Sequence, residues 1–334
     1  MRQSPILPLI RSLTLAVALS VSLTAPARAD FPEMITGQIL PGLAGFATAT
    51  QALADAAQTT CDVAVLQPAY QTAFDAWMAV QHIHLGPVEE DGRGLAIAFW
   101  PDPKGTGIKA QRALLTGDPA KLAAVAFAEQ SVAARGLMGL ERLLFPAEPL
   151  PADPCPLTRA TATDLARLAA EVQAGWADGF AQALLTAGQP GNTQYLSQAE
   201  ARQALFTQIA TGLEDIKDKR LARPMGAADS PTPDRAEARA SGRSQRNVLL
   251  ALQALRDSAA QLSSTAPRTI AAFDHAIGLA QRLDDPVFAG TATPGGRLKL
   301  EILQQAVSRV SEVMLEELAP QLQVGIGFNA GDGD

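Results

Sequence analysis

The amino-acid sequence predicts an all-α protein made of two packed helical bundles. Three observations carry that expectation. Ala- and Leu-rich segments repeat apolar residues at i, i+3, i+4 and i+7, the period of an amphipathic helix. They alternate with loops dense in proline and glycine, such as "FPAEPLPADPCP" and "DDPVFAGTATPGG". No stretch alternates apolar and polar residues as a sheet strand would.

Residues 1–29 are expected to lie outside the fold. Arg2 and Arg11 precede an apolar run from Leu13 to Leu23, followed by Ala27-Arg28-Ala29, the pattern of a secretory signal with its cleavage site. The run is too short to cross a bilayer, and no other stretch is long and apolar enough. The expected product is a periplasmic chain of residues 30–334 with no lipid anchor, since neither cysteine is near the cleavage point. Without the three arginines of the leader the formal net charge moves from −7 to −10, which argues against nucleic acid as a partner. Cys61 and Cys155 are the only cysteines and are expected to bond in an oxidising compartment. A metal site built on them would need further ligands nearby, and none is identifiable.

Helices are expected in order over 43–58, then over 66–84, which "LGPVEEDGRG" closes. The next spans 120–144 and stops at "FPAEPLPADPCP"; another spans 157–187 and stops at "AGQPGNT". In the second half the spacing predicts 195–219, ended by "RPMGAADSPTPDRAEARASGR", then 243–263, 266–282 and, past "DDPVFAGTATPGG", 297–322. The cleanest cut is at "AGQPGNT", giving an N-terminal helical domain over 30–187 and a C-terminal one over 188–334. A repeat between the halves is weak.

Chemistry has few places to sit. The three histidines, His82, His84 and His275, exclude histidine-rich catalysis, and no nucleophile elbow, phosphate loop, paired-histidine zinc motif or haem-attachment motif occurs. In "RGLMGLERLLF", Leu137, Leu140 and Leu144 form one apolar stripe, with Met138, Glu141 and Phe145 on the adjoining one. Glu141 therefore points close to the packed side. It is either an acid at the edge of the core, reaching water or an arginine, or a residue of a ligand-bearing helix.

Two loops could supply its surroundings. "GRGLAIAFWPDPKG" sets Trp100 in a Trp-Pro-Asp corner, where Asp102 can accept backbone donors and Arg93 and Lys104 add polar groups. It is a structural corner or a ligand-binding loop. "RAEARASGRSQRN" brings Glu237, Arg239, Ser241, Arg243, Ser244 and Arg246 up to a helix, and either Ser241 or Gly242 can cap that helix. The same donors beside Glu141 would pair an otherwise orphaned carboxylate. The tail "GIGFNAGDGD" lacks the spacing of a calcium loop.

In this order the segments resemble the imelysin family, exported bacterial helical proteins linked to iron acquisition and once classed as metallopeptidases. "AFDAWMAVQHIHLGP" is similar to its Trp-bearing helix, "AIAFWPDPKG" to its Trp-Pro-Asp segment, and "DIKDKRLARPMG", "EARASGRS" and "GFNAGDGD" to its later segments. The family signature G-x-H-x-x-E reads here Gly136-Leu137-Met138-Gly139-Leu140-Glu141, with Met138 in place of the histidine.

The resemblance implies two similar domains with a shared site at their interface. The expected cleft comprises Gly136, Met138, Glu141, Arg93, Trp100, Asp102, Arg239, Ser241 and Ser244. A thioether serves Zn²⁺ or Fe³⁺ poorly and cannot act as a general base, though it suits Cu(I), so Glu141 is the sole metal ligand in view. The expected function is a non-catalytic periplasmic accessory protein of iron, or else copper, uptake, with an exported or outer-membrane uptake component as partner. A metallopeptidase and a structural partner of an exported redox protein are the rival readings.

Overall fold

Asp30 starts the first helix through a capping box: it accepts the Phe31 N–H at 2.8 Å, and Glu33 accepts the Asp30 N–H at 3.1 Å. The computed structural model describes residues 30–325, so the leader and all but the first residue of "GIGFNAGDGD" lie outside it. Helix α1 covers residues 31–59, starting well ahead of the expected 43. Pro41 and Gly42 look like breakers, but a wide turn over Ile35–Ile39, in which the Leu40 N–H reaches Ile35 O, carries the helix past Pro41 and its missing donor.

Helix α2, Val63–Met78, is capped by Asp62 on the Ala64 N–H at 2.9 Å and stops before the expected 84. The turns that follow swing His82 into the core, where it is 2 % exposed, and leave His84 outside. Two helices occupy a stretch read as loop, α3 at Arg93–Ile97 and α4 at Thr106–Leu115. The expected single helix over 120–144 is a correction: it is broken into α5, Ala124–Ala128, and α6, Gly136–Leu144, separated by a short 3-10 turn at Val132–Ala134. The cause is backbone geometry that apolar spacing does not reveal. Ser131 and Arg135 are non-helical, and Gly136 takes φ +63°, with Ala96 O and Ile97 O each 2.2 Å from where a Cβ would sit.

Helix α7 covers residues 155–185 with a wide turn at Trp176–Phe180, and α8 covers 198–225 with another at Asp215–Leu221. Asn192 organises the loop between them, donating to Ala183 O at 2.6 Å and accepting from Gln194 N and Tyr195 N. The remaining helices are α9, Ser244–Leu262, α10, Pro267–Gln281, and α11, Pro294–Leu322. The described residues contain no strand, only an isolated bridge between Ala227 and Ser230, and the protein is all-α. None of the helices among the described residues is long and apolar enough to cross a membrane.

Helix α1 packs along α2 and α7, while α9 and α11 flank α10 and α8 lies against both α9 and α11. The beginning of α1 and the inner face of α2 also press on α9, so a hydrophobic cluster runs continuously through both halves of the chain, from Phe31 and Trp77 to Phe206, Phe273 and Leu322. A smaller cluster of Leu114, Phe127, Ala134, Leu143 and Leu157 lies under the broken segment. The Gly86-Pro87 turn seats against α7: Gly86 has φ +55°, and a Cβ there would lie 2.5 Å from the Phe180 ring. Cys61 and Cys155 form a disulfide with Cα atoms 5.5 Å apart, joining the chain just before α2 to the first residue of α7.

Candidate functional site

Helix α6 is buried on nearly every side, and polar groups fix its position. Arg135, immediately before it, donates to both oxygens of Asp164 on α7 at 2.8 and 3.0 Å, and to Ala128 O at 2.6 Å. Gln111 of α4 donates to Gly139 O at 2.8 Å and accepts from Arg142 Nε at 2.6 Å. Arg142 also donates to Ala133 O at 2.5 Å. With the Leu137, Leu140 and Leu144 face in the core, Met138, Glu141, Arg142 and Phe145 are presented to an open cleft of about 910 Å³.

Glu141 is 5 % exposed, and its Oε1 accepts two hydrogen bonds from Ser241, from the backbone N–H at 2.9 Å and from the hydroxyl at 2.7 Å. Burial raises its pKa above the usual carboxylate value; the two Ser241 donors and the charge of Arg142 oppose that shift. Tyr70 of α2 packs on Phe145, and its buried hydroxyl has no hydrogen-bond partner among the described residues. Burial, then the charge of Glu141, hold that phenol well above its usual pKa.

The opposite wall of the cleft comes from residues 223–240 and the Trp100 corner. Arg223 places its guanidinium 5.8 Å from the Trp100 ring centre, and Arg239 lies 3.4 Å from exposed Asp234. Arg235 adds a further cation to the lining. Asp102 borders the cleft too, but its oxygens cap α4 through the Thr106 and Gly107 N–H groups at 2.9 and 2.7 Å. Those donors hold its pKa below the usual value against the opposing effect of desolvation.

Of the residues singled out in the sequence, Trp100, Asp102, Met138, Glu141 and Arg239 line this cleft, and Ser241 serves Glu141. Gly136 sits behind it, pressed on the backbone of α3. Arg93 is elsewhere, paired with Glu90, Asp91 and Glu171. Ser244 is buried at the start of α9 with an unpartnered hydroxyl, away from the cleft lining. Neither Ser241 nor Gly242 is the cap of α9; Arg243 occupies that position without a side-chain cap bond, Gly242 takes φ +72°, and Ser241 serves Glu141 instead.

Behind the cleft lies a buried polar network that sequence reasoning did not assemble. Arg243, 1 % exposed, donates to Asp75 at 2.8 Å, Asn247 at 2.9 Å and Gln71, with Phe74 stacked 4.2 Å from its guanidinium carbon. Asn247 and Arg220 both donate to Glu237 Oε2, at 2.9 and 2.7 Å, and Arg220 also donates to Gln81 Oε1 at 3.0 Å. The i, i+4 pairs Gln71/Asp75 and Arg243/Asn247 were the only local signal. Among the described residues no three His, Cys, Asp or Glu side chains group closely enough to hold a metal ion.

The Imelysin family profile matches residues 39–314. Among solved structures, an imelysin-like protein from Psychrobacter arcticum superposes with TM-score 0.73 at 19% identity, covering 89% of this chain and 96% of the other. A candidate iron-regulated protein A precursor from Parabacteroides distasonis superposes with TM-score 0.57 at 12% identity, covering 88% and 95%. At such identities the likeness is one of fold. No curated protein matches the sequence. The family profile spans most of the chain, from α1 to α11 and across the Glu141 helix, and the chain belongs to the imelysin family.

Proposed function

We propose that this protein is an exported, non-catalytic accessory protein of bacterial iron uptake that binds a ligand or partner in the cleft beside Glu141. Family membership and the iron-regulated description of one structural neighbour support the iron connection. The signal-like first 29 residues and the Cys61–Cys155 disulfide support the periplasm.

One observation carries the non-catalytic reading: the signature position one turn before Glu141 is Met138, and Glu141 Oε1 is engaged by Ser241. A zinc peptidase needs three protein ligands and an activated water, and this helix offers one carboxylate. Copper is the second metal to consider, because the Met138 thioether lies in the cleft wall. The iron uptake partner is an exported or outer-membrane component of that system.

The test is direct. Purified protein is titrated calorimetrically with Zn²⁺, Fe³⁺ and Cu(I), assayed on peptide substrates, and used to recover partners from native periplasm. The expected result is weak metal binding, no hydrolysis and recovery of a metal-uptake component. Peptide hydrolysis lost in Glu141→Ala would establish the peptidase reading, and recovery of a redox protein alone would establish the third.

A further inference from the structure

Every acid in the lining of the Glu141 cleft is engaged by a donor of the chain itself. Asp102 accepts the Thr106 and Gly107 N–H groups, Glu141 accepts both Ser241 donors, and Asp234 lies 3.4 Å from Arg239. The cations are not matched in this way. Four arginines, Arg142, Arg223, Arg235 and Arg239, share the lining with those three acids, a formal excess of one positive charge.

Three of the four arginines keep donors free. Among the described residues Arg223 forms no side-chain hydrogen bond or ion pair and packs its guanidinium over the Trp100 ring; its Nε is enclosed, but its two Nη atoms are not. Arg235 is exposed and equally unpaired among the described residues. The fold brings these two together: Thr232 donates its hydroxyl to Arg223 O at 2.6 Å, and Arg235 N–H donates to Thr232 O at 2.9 Å, so both stand on one wall. Across the cleft Arg142 uses Nε and Nη2 on Gln111 Oε1 and Ala133 O, and its Nη1 is left over without being enclosed.

Charge and geometry select the occupant. A bare metal cation meets the arginines and finds only engaged carboxylates, and a neutral molecule leaves the excess charge unanswered. A guanidinium is always charged and presents its N–H groups as a planar fork that matches a carboxylate. Glu141 repels an anion, but Ser241 and Arg142 lie against it at the base of the cleft, which leaves the 223–240 wall as the place for acid groups. A volume of about 910 Å³ holds an organic molecule with several such groups.

We propose that the cleft binds a small organic polycarboxylate anion, its carboxylates received by Arg223 and Arg235. The proposal rests on the reading of this cleft as a ligand site and narrows it: iron enters the cleft as an anionic carboxylate complex and not as bare Fe³⁺.

Tricarballylate is the probe, because it carries three carboxylates and lacks the hydroxyl through which citrate chelates iron; its trimethyl ester is the neutral control. Calorimetry on metal-free protein at low ionic strength should show saturable binding of tricarballylate, weakened by added salt, with the ester at least about tenfold weaker. Arg223→Gln and Arg235→Gln should each reduce the affinity, and the double variant by about tenfold or more. Arg235 is exposed, so its variant keeps the test valid if Arg223→Gln does not fold. Arg309→Gln removes the same charge from the exposed side of α11, outside the lining, and should leave binding unchanged. No saturation, equal binding of the ester, or insensitivity to both arginine variants would overturn the proposal and would leave recovery of an uptake partner, the test of the accessory role, untouched.

Discussion

Ser241 gives both its backbone N–H and its hydroxyl to one oxygen of Glu141, a residue 100 positions earlier in the chain. Two donors on a 5 % exposed carboxylate tie the loop before α9 to helix α6 and close the base of the cleft. Replacing Glu141 with Ala leaves the Ser241 N–H without its acceptor, and the expected loss is about 1–3 kcal/mol. Glu141→Gln keeps an oxygen for both donors and should lose much less. Urea unfolding of the two variants checks the difference; equal midpoints would show that the pair contributes nothing.

The same carboxylate imposes a pH dependence. Its folded pKa is raised above the unfolded value, so its contribution is fully present below the unfolded pKa and lost as pH rises through the folded one. Relative to Glu141→Gln, the unmodified protein should therefore lose stability between acidic and neutral pH. Unfolding midpoints of both proteins across that range read the effect, and parallel curves would count against it.

His82 acts in the opposite direction. Its ring is buried with Nε2 2.9 Å from Ser258 Oγ, and burial, with the nearby charges of His84 and Arg220, lowers its pKa from 6.5 to about 3. A depressed folded pKa contributes stability that is present above the unfolded value and lost as pH falls from 6.5 toward 3. The slope for one such group reaches about 1.4 kcal/mol per pH unit. His82→Gln should flatten that part of the acid unfolding profile, and an unchanged profile would place the titrating group elsewhere.

The disulfide closes 94 residues, which in the chain-entropy account stabilises the fold by about 4–5 kcal/mol. Non-reducing peptide mapping of protein from native periplasm should yield one cross-linked fragment holding Cys61 and Cys155. Two freely alkylated thiols would contradict the bond. The double serine variant should unfold at markedly lower urea.

Met138→His restores the signature in one step, with an imidazole one helical turn from Glu141 on the same face. Calorimetry should register a gain in Zn²⁺ affinity over the unmodified protein. The gain should stay below that of a complete site, because Ser241 holds one carboxylate oxygen. Tight stoichiometric binding by the unmodified protein, abolished by Glu141→Ala, would mean that other residues complete a working centre.

The candidate site was legible where its chemistry is local. The position of Glu141 beside the packed face follows from the stripe of Leu137, Leu140 and Leu144, and the capping role open to Asp102 follows from its place ahead of a turn. Arg93 went astray because a loop arginine near a tryptophan carries no sign of its partner; Glu171, to which it turns, lies on α7. Arg142 and Arg223, both in the cleft wall, carry no local signal that sets them apart from the chain's other arginines.

By itself the sequence determined the helical class, most of the long helices, the cysteine pair and an acid set against the core, because apolar periodicity, proline and glycine act over a few residues. Only the tertiary structure decided that 120–144 breaks, that Ser241 serves Glu141 rather than capping α9, and that Arg220 joins Glu237 to Gln81. The break depends on carbonyls of α3 against Gly136, and the pairings span 17 to 139 residues. Such partners are selected by which buried donors and acceptors packing brings face to face, since each must be satisfied where water is excluded.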